Sequence, residues 1–104
     1  MYQEITSDNL AEFVGEGKTT FVQYSAGWCG NCRLIKPTFQ RLAGETENAQ
    51  FLMVDAEKFP NSREMAEVKN LPTFAAFKDG ILVGQVSTNK VDKLTSFIHE
   101  TTGN

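Results

Sequence analysis

Short apolar runs alternate along this chain with segments of helical periodicity, and the last two runs are separated by only three residues, Lys78-Asp79-Gly80. The periodicity predicts four helices, at 8–14, 31–45, 62–69 and 90–100. The apolar runs predict five strands, at 2–5, 19–24, 50–54, 74–77 and 81–86. Asp79-Gly80 favours a type I′ turn, which joins antiparallel strands. We therefore expect an α/β fold, with a mixed central sheet of about five strands flanked by four helices.

The size and charge of the chain narrow its possible roles. Its 104 residues suffice for one core, so we expect a single domain over residues 1–104. A net charge of −3, without a run of Lys and Arg, argues against binding to nucleic acid or to an anionic membrane. The N-terminus has no basic start followed by an apolar stretch, and no run is long enough to span a membrane, so we expect a cytoplasmic protein.

Cys29 and Cys32 lie between the second predicted strand and the helix that follows it. Two thiols at this spacing can close a small disulfide and reopen it. A thiolate at a helix N-terminus is favoured by the free N–H groups and the helix dipole. We expect Cys29, just ahead of the helix, to attack a substrate disulfide, and Cys32 to resolve the mixed disulfide. Gly30 removes a side chain that would crowd the partner.

Two other uses of the cysteines stay open. A zinc site needs four Cys or His ligands, and this chain offers two Cys and the distant His99, so such a site, like an iron–sulfur site, would be intermolecular. A purely structural disulfide closing so short a loop would constrain the unfolded chain little. We interpret His99 and Asp55 as surface or capping residues, and Tyr24 as core.

Four landmarks occur in register along the chain. They are Trp28-Cys29-Gly30-Asn31-Cys32, Pro37, Leu71-Pro72-Thr73 and Phe77-Lys78-Asp79-Gly80. With them the sequence closely resembles the thioredoxin family over nearly its whole length. The resemblance implies the thioredoxin fold and a thiol–disulfide oxidoreductase that reduces protein disulfides. It also implies a monomer without a cofactor of its own, which receives electrons from an NADPH-dependent thioredoxin reductase.

The resemblance also implies roles for individual residues. Cys29 is the nucleophile and Cys32 the resolving thiol. Contact with the substrate is implied for Trp28, Gly30, Asn31, Leu71 and Pro72. Pro72 matches the family's cis-proline, which leaves the backbone of Leu71 free to pair with an extended substrate segment.

Several positions depart from the family pattern. Gln23 stands where the family usually has a buried Asp, so an amide replaces the carboxylate that can take the proton of the resolving thiol. Phe51 replaces the Lys near that Asp, and Ser87, followed by Thr88, replaces a Gly. Asn31 replaces a Pro and adds a backbone donor near Cys29, which predicts a less negative reduction potential. The loss of the carboxylate also suggests an alternative function, a docking module with weak or no redox activity.

Overall fold

The computed structural model describes residues 1–103, and a five-stranded mixed sheet forms its centre. The strands are β1 (Tyr2–Glu4), β2 (Thr19–Ser25), β3 (Ala49–Asp55), β4 (Thr73–Lys78) and β5 (Ile81–Ser87). Their spatial order is β1-β3-β2-β4-β5. β1 and β2 run parallel to β3, whereas β4 is antiparallel to both β2 and β5. The predicted mixed sheet is confirmed, since the helix Gly30–Glu45 joins the parallel strands β2 and β3 and a hairpin joins β4 and β5.

The described residues form three α-helices, and the prediction of four was wrong. They are α1 (Gly30–Glu45), α2 (Pro60–Arg63) and α3 (Val91–Thr102). Pro37 lies inside α1, which continues through it to Glu45. The segment expected to be the first helix, 8–14, forms only a single 3₁₀ turn at Leu10–Glu12. None of the helices within residues 1–103 has the length and apolar character that crossing a membrane requires.

A hydrogen-bonded contact between Asp8 and Ser62 explains why two helix predictions failed. The carboxylate of Asp8 does not cap its own segment. It accepts hydrogen bonds from the N–H groups of Asn61 (3.0 Å) and Ser62 (2.7 Å), and from the Ser62 hydroxyl (2.7 Å). The N–H of Leu10 in turn donates to Ser62 Oγ at 3.1 Å. Asp8 therefore satisfies the free N–H groups of α2, a helix that begins earlier and ends sooner than predicted.

Two hydrophobic clusters pack on the sheet. One contains inward residues of α1 and α3, such as Phe39 and Ile98, packed with Phe21, Phe51 and Phe74 of the strands. The other brings Leu10 and Val68 together with strand residues that include Tyr24. Tyr24 is fully buried and donates its hydroxyl to the carbonyl of Ser62 at 2.8 Å, which confirms it as a core residue.

The β4–β5 turn has the predicted geometry. Asp79 (φ 55°) and Gly80 (φ 80°) both have positive φ, as a type I′ turn requires. The Asp79 side chain accepts a hydrogen bond from the N–H of Gly17 at 2.6 Å, so the turn is tied to the loop that precedes β2.

Candidate active site

The cysteine pair lies where β2 delivers the chain to α1. Cys29 is the N-cap residue of α1, with an extended backbone (φ −85°, ψ 102°), and Cys32 is in the first helical turn, as predicted. The two residues are joined by a disulfide, and their Cα atoms are 5.3 Å apart. This placement puts one sulfur at the helix N-terminus, where unpaired backbone N–H groups favour negative charge.

The sulfur of Cys29 replaces the oxygen that usually caps a helix. It accepts a hydrogen bond from the N–H of Cys32 at 3.2 Å. Among residues 1–103, no hydrogen bond joins the Asn31 N–H to this sulfur in the disulfide form. Cys29 is 4% exposed and Cys32 1%, and both pack against Ala26 and Leu71. The exposed fraction of Cys29 is therefore only slightly larger than that of Cys32.

Gln23 lies on β2 and is fully buried. Its Nε2 donates to the carbonyl oxygen of Cys32 at 3.1 Å. Its Oε1 is buried and has no hydrogen-bond partner within the part of the chain that the structure describes. The amide therefore holds the backbone of Cys32 while its own acceptor stays unsatisfied, an arrangement that costs free energy in a protein interior.

Trp28 flanks the cysteine pair and leaves two-thirds of its surface, 66%, exposed. Its indole Nε1 donates to Glu57 Oε2 at 2.7 Å. The loop carrying Glu57 is shaped by Asp55, whose carboxylate accepts hydrogen bonds from the N–H groups of Glu57 (2.9 Å) and Lys58 (3.0 Å). This confirms a capping role for Asp55. Sequence reasoning missed Glu57, because an acidic residue two positions beyond a strand carries no signal that it meets a tryptophan 29 residues away.

The Leu71-Pro72 peptide bond is cis, as the resemblance implied. Leu71 packs against the cysteine cluster. Among the hydrogen bonds found within residues 1–103, none uses the N–H or C=O of Leu71. These two peptide groups are therefore available to an extended segment laid beside them.

A cleft of about 490 Å³ reaches Cys32 from the side of β1 and β3. Two cations on its rim already have partners. Lys36 forms a salt bridge with Glu4 at 2.8 Å, and Arg33 donates to the carbonyl of Gly27 at 2.9 Å. The Lys36 hydrogen bond, helped by one from Tyr2, holds the pKa of Glu4 below its usual value, which favours the charged form of this carboxyl. Cys32 therefore borders this cleft, whose lining does not include Pro72.

Gly30 and His99 are the remaining residues that the sequence analysis singled out. Gly30 opens α1, and a Cβ built on it would meet no atom within 4 Å, so the space around this position is open. His99 is exposed in the last turn of α3. Across residues 1–103, no three His, Cys, Asp or Glu side chains are grouped closely enough to hold a metal ion.

Comparisons with known proteins agree on one family. The profile of the family described as Thioredoxin matches residues 1–100. The thioredoxins of Homo sapiens and Sus scrofa are each 41% identical to this chain over 83 residues, which cover 80% of this chain and 79% of theirs. The crystal structure of Malassezia sympodialis thioredoxin superposes with a TM-score of 0.86 at 27% identity, covering 95% of this chain and 91% of that one. Schistosoma mansoni thioredoxin gives a TM-score of 0.84 at 30% identity, covering 95% and 94%.

Proposed function

The chain belongs to the thioredoxin family and is a thiol–disulfide oxidoreductase, and we propose that Cys29 and Cys32 carry out its reaction in the order described below. One observation carries this proposal. The two cysteines are joined at the N-terminus of α1, where the first is a helix cap and the second lies one turn into the helix.

In the dithiol form, the thiolate of Cys29 attacks one sulfur of a substrate disulfide. The substrate S–S bond breaks, one substrate sulfur leaves as a thiolate, and a mixed disulfide forms on Cys29. Cys32 then loses its proton and attacks Cys29 Sγ, which releases the second substrate sulfur and closes the Cys29–Cys32 disulfide. Two electrons pass to the substrate, whose two sulfurs take up protons. The Cα separation of 5.3 Å supports this closure, because it lies within the usual range for a disulfide.

Five neighbouring residues complete the proposed site. Trp28 and the Gly30-Asn31 segment flank the attacking sulfur, and the free peptide groups of Leu71 pair with the main chain of the substrate beside Pro72. The exposed indole and the unpaired Leu71 backbone support these roles.

We further propose that this Trp-Cys-Gly-Asn-Cys variant works as a single-domain monomer in the cytoplasm, with disulfide-containing proteins as substrates. A thioredoxin reductase that uses NADPH returns the pair to the dithiol. The two sulfurs hold the electrons themselves, so the chain needs no cofactor of its own. The proposed location agrees with this chemistry, because in a reducing compartment such as the cytoplasm a cysteine pair is more often catalytic than structural.

Trapping with single-cysteine variants tests the order of attack. Cys32→Ser removes the resolving thiol, so we expect it to accumulate a mixed disulfide on Cys29 when it is mixed with oxidised insulin. Cys29→Ser should accumulate none, and mass spectrometry distinguishes the two adducts. The opposite pattern would reverse the two roles. Failure of the wild-type protein to reduce insulin would instead favour the docking module.

A further inference from the structure

A small groove of about 230 Å³ lies beside the cis-proline, along the path proposed for the substrate backbone. Leu71 and Pro72 are the apolar part of its lining. Every other lining residue has an uncharged polar side chain, and these are Asn31, Asn70, Ser87, Thr88 and Asn89. The groove therefore combines one short apolar segment with hydrogen-bonding walls, and no residue that lines it is charged.

The two hydroxyls of the groove are already engaged. Ser87 Oγ lies 2.6 Å from Thr73 Oγ1, and Thr88 Oγ1 accepts a hydrogen bond from the N–H of Lys90 at 3.0 Å. These contacts fix the wall that β5 contributes. Because both hydroxyls already have hydrogen-bond partners, their main contribution is to the shape of the groove and not to the binding of a substrate.

The three carboxamides are not engaged. Asn31, Asn70 and Asn89 are exposed, and their side chains make no hydrogen bond to any other part of residues 1–103. Each amide offers two donor hydrogens and an acceptor oxygen. Three sets of unused donors and acceptors therefore surround a groove that the Leu71 backbone borders.

We propose that this groove selects protein disulfides whose flanking residues are uncharged and polar, such as Ser, Thr, Asn and Gln. The inference rests on the proposed function and names the substrate class of that same site. The Leu71 peptide groups bind any extended main chain, so they do not discriminate between sequences. Discrimination between sequences comes instead from the substrate side chains next to the target cysteine. An apolar residue beside the disulfide covers the asparagine amides and does not replace the hydrogen bonds that they made to water. A charged residue beside the disulfide meets no opposite charge in the groove.

A competition between two peptides tests this selection. Both carry the same target disulfide, one flanked by Ser and Gln and the other by Val and Leu. Cys32→Ser protein is mixed with equal amounts of both, and the adducts on Cys29 are counted by mass spectrometry. We expect about tenfold more adduct with the polar peptide, since unpaired amides disfavour the other.

Groove variants, made in the Cys32→Ser background, show whether the asparagines cause the preference. Asn70→Leu combined with Asn89→Leu should bring the two adducts to nearly equal amounts. Gln3→Leu is the matched control, because it exchanges an exposed amide on β1 for leucine outside the groove and should keep the tenfold ratio. The double variant Asn70→Asp/Asn89→Asp is a second test. It places two carboxylates in the groove, so a peptide with Lys beside the disulfide should become the preferred partner.

Equal capture by the unaltered groove, or a preference that survives the double leucine variant, would overturn the inference. So would capture of neither peptide by Cys32→Ser when the wild-type protein still reduces insulin. If the wild-type protein leaves insulin oxidised, the proposed function itself has failed, and that assay separates the two failures.

Discussion

Gln23 presents its two ends to very different surroundings. The Nε2 end donates to the backbone of Cys32, and the Oε1 end is buried without a partner within residues 1–103. Because an amide neither takes nor gives a proton near neutral pH, Gln23 cannot serve as the base for the Cys32 thiol. We infer that the proton of Cys32 leaves by another route and that the resolving step is slow.

Replacing Gln23 with Asp should accelerate that step. A carboxylate beneath the pair can accept the Cys32 proton, so we expect release of the substrate from the mixed disulfide to become about tenfold faster near neutral pH, a modest share of what general bases contribute. Stopped-flow measurement of insulin-peptide release across pH would show it. Gln23→Leu is the control, since it removes the amide without adding a base. An unchanged rate and pH profile in Gln23→Asp would refute a role for this position in proton transfer.

Asn31 lies between the two cysteines and carries a backbone N–H in the first turn of α1. Its N–H makes no hydrogen bond to Cys29 Sγ in the disulfide form of residues 1–103, so any stabilisation it gives belongs to the dithiol form. Asn31→Pro removes that donor. We expect the reduction potential to become more negative by ~20 mV, the equivalent of one hydrogen bond of about 1 kcal/mol in a two-electron couple. Equilibration with a glutathione couple measures it, and a potential equal to or above that of the wild type would contradict the prediction.

At the scale of the elements, Asp8 connects the first segment of the chain to α2. Burial by itself raises the pKa of this carboxyl, but hydrogen bonds from Ser62 and Asn61 outweigh it and hold the pKa below its usual value. A carboxyl whose folded pKa is depressed stabilises the fold above its unfolded pKa, near 4, and loses that contribution as the pH falls through the folded value.

Asp8→Ala should therefore lower the urea midpoint at pH 7, and the difference from the wild type should shrink below pH 4. Unfolding curves at several pH values, followed by circular dichroism, would measure this. Glu16→Ala is a suitable control, because Glu16 is exposed and makes no side-chain hydrogen bond within residues 1–103. A constant difference between Asp8→Ala and the wild type at all pH values would exclude the charged form of Asp8 as the cause.

The same contact shows how far the sequence could predict this fold. The strands and α1 were predicted to within a few residues, because their apolar periodicity is local and strong. The segment 8–14 and α2 were not, since what decides them is a contact between Asp8 and Ser62, 54 positions apart. In the site, the cysteines and the cis-proline were predicted. Glu57 and the free amides of Asn70 and Asn89 were not, because they become neighbours of the site only when the chain folds.

At the scale of the whole molecule, the aromatic cluster between the sheet and α1 dominates the packing on that face. Phe39 is fully buried, and its ring centre lies 5.1 Å from that of Phe51 and 5.6 Å from that of Phe74. Phe39→Ala should cost about 3–5 kcal/mol, a large part of the ~5–15 kcal/mol by which small domains are usually stable. Urea unfolding measures the loss.

Leu34 gives the matched control on the same helix. Its side chain is 79% exposed, so Leu34→Ala should change the free energy of unfolding by less than ~0.5 kcal/mol. Equal losses in Phe39→Ala and Leu34→Ala would mean that this cluster does not hold α1 against the sheet.

The link between Asp8 and Ser62 has a practical consequence for anyone preparing the protein. An affinity tag fused ahead of Tyr2 would join the chain only a few residues from Asp8. The tag would extend from β1, and the strand paired with β1 is β3, which leads into the loop that carries Glu57. A bulky fusion there can disturb the hydrogen bonds by which Asp8 anchors the N-terminal segment to α2. Tags are better attached beyond α3, which supplies neither member of that anchor.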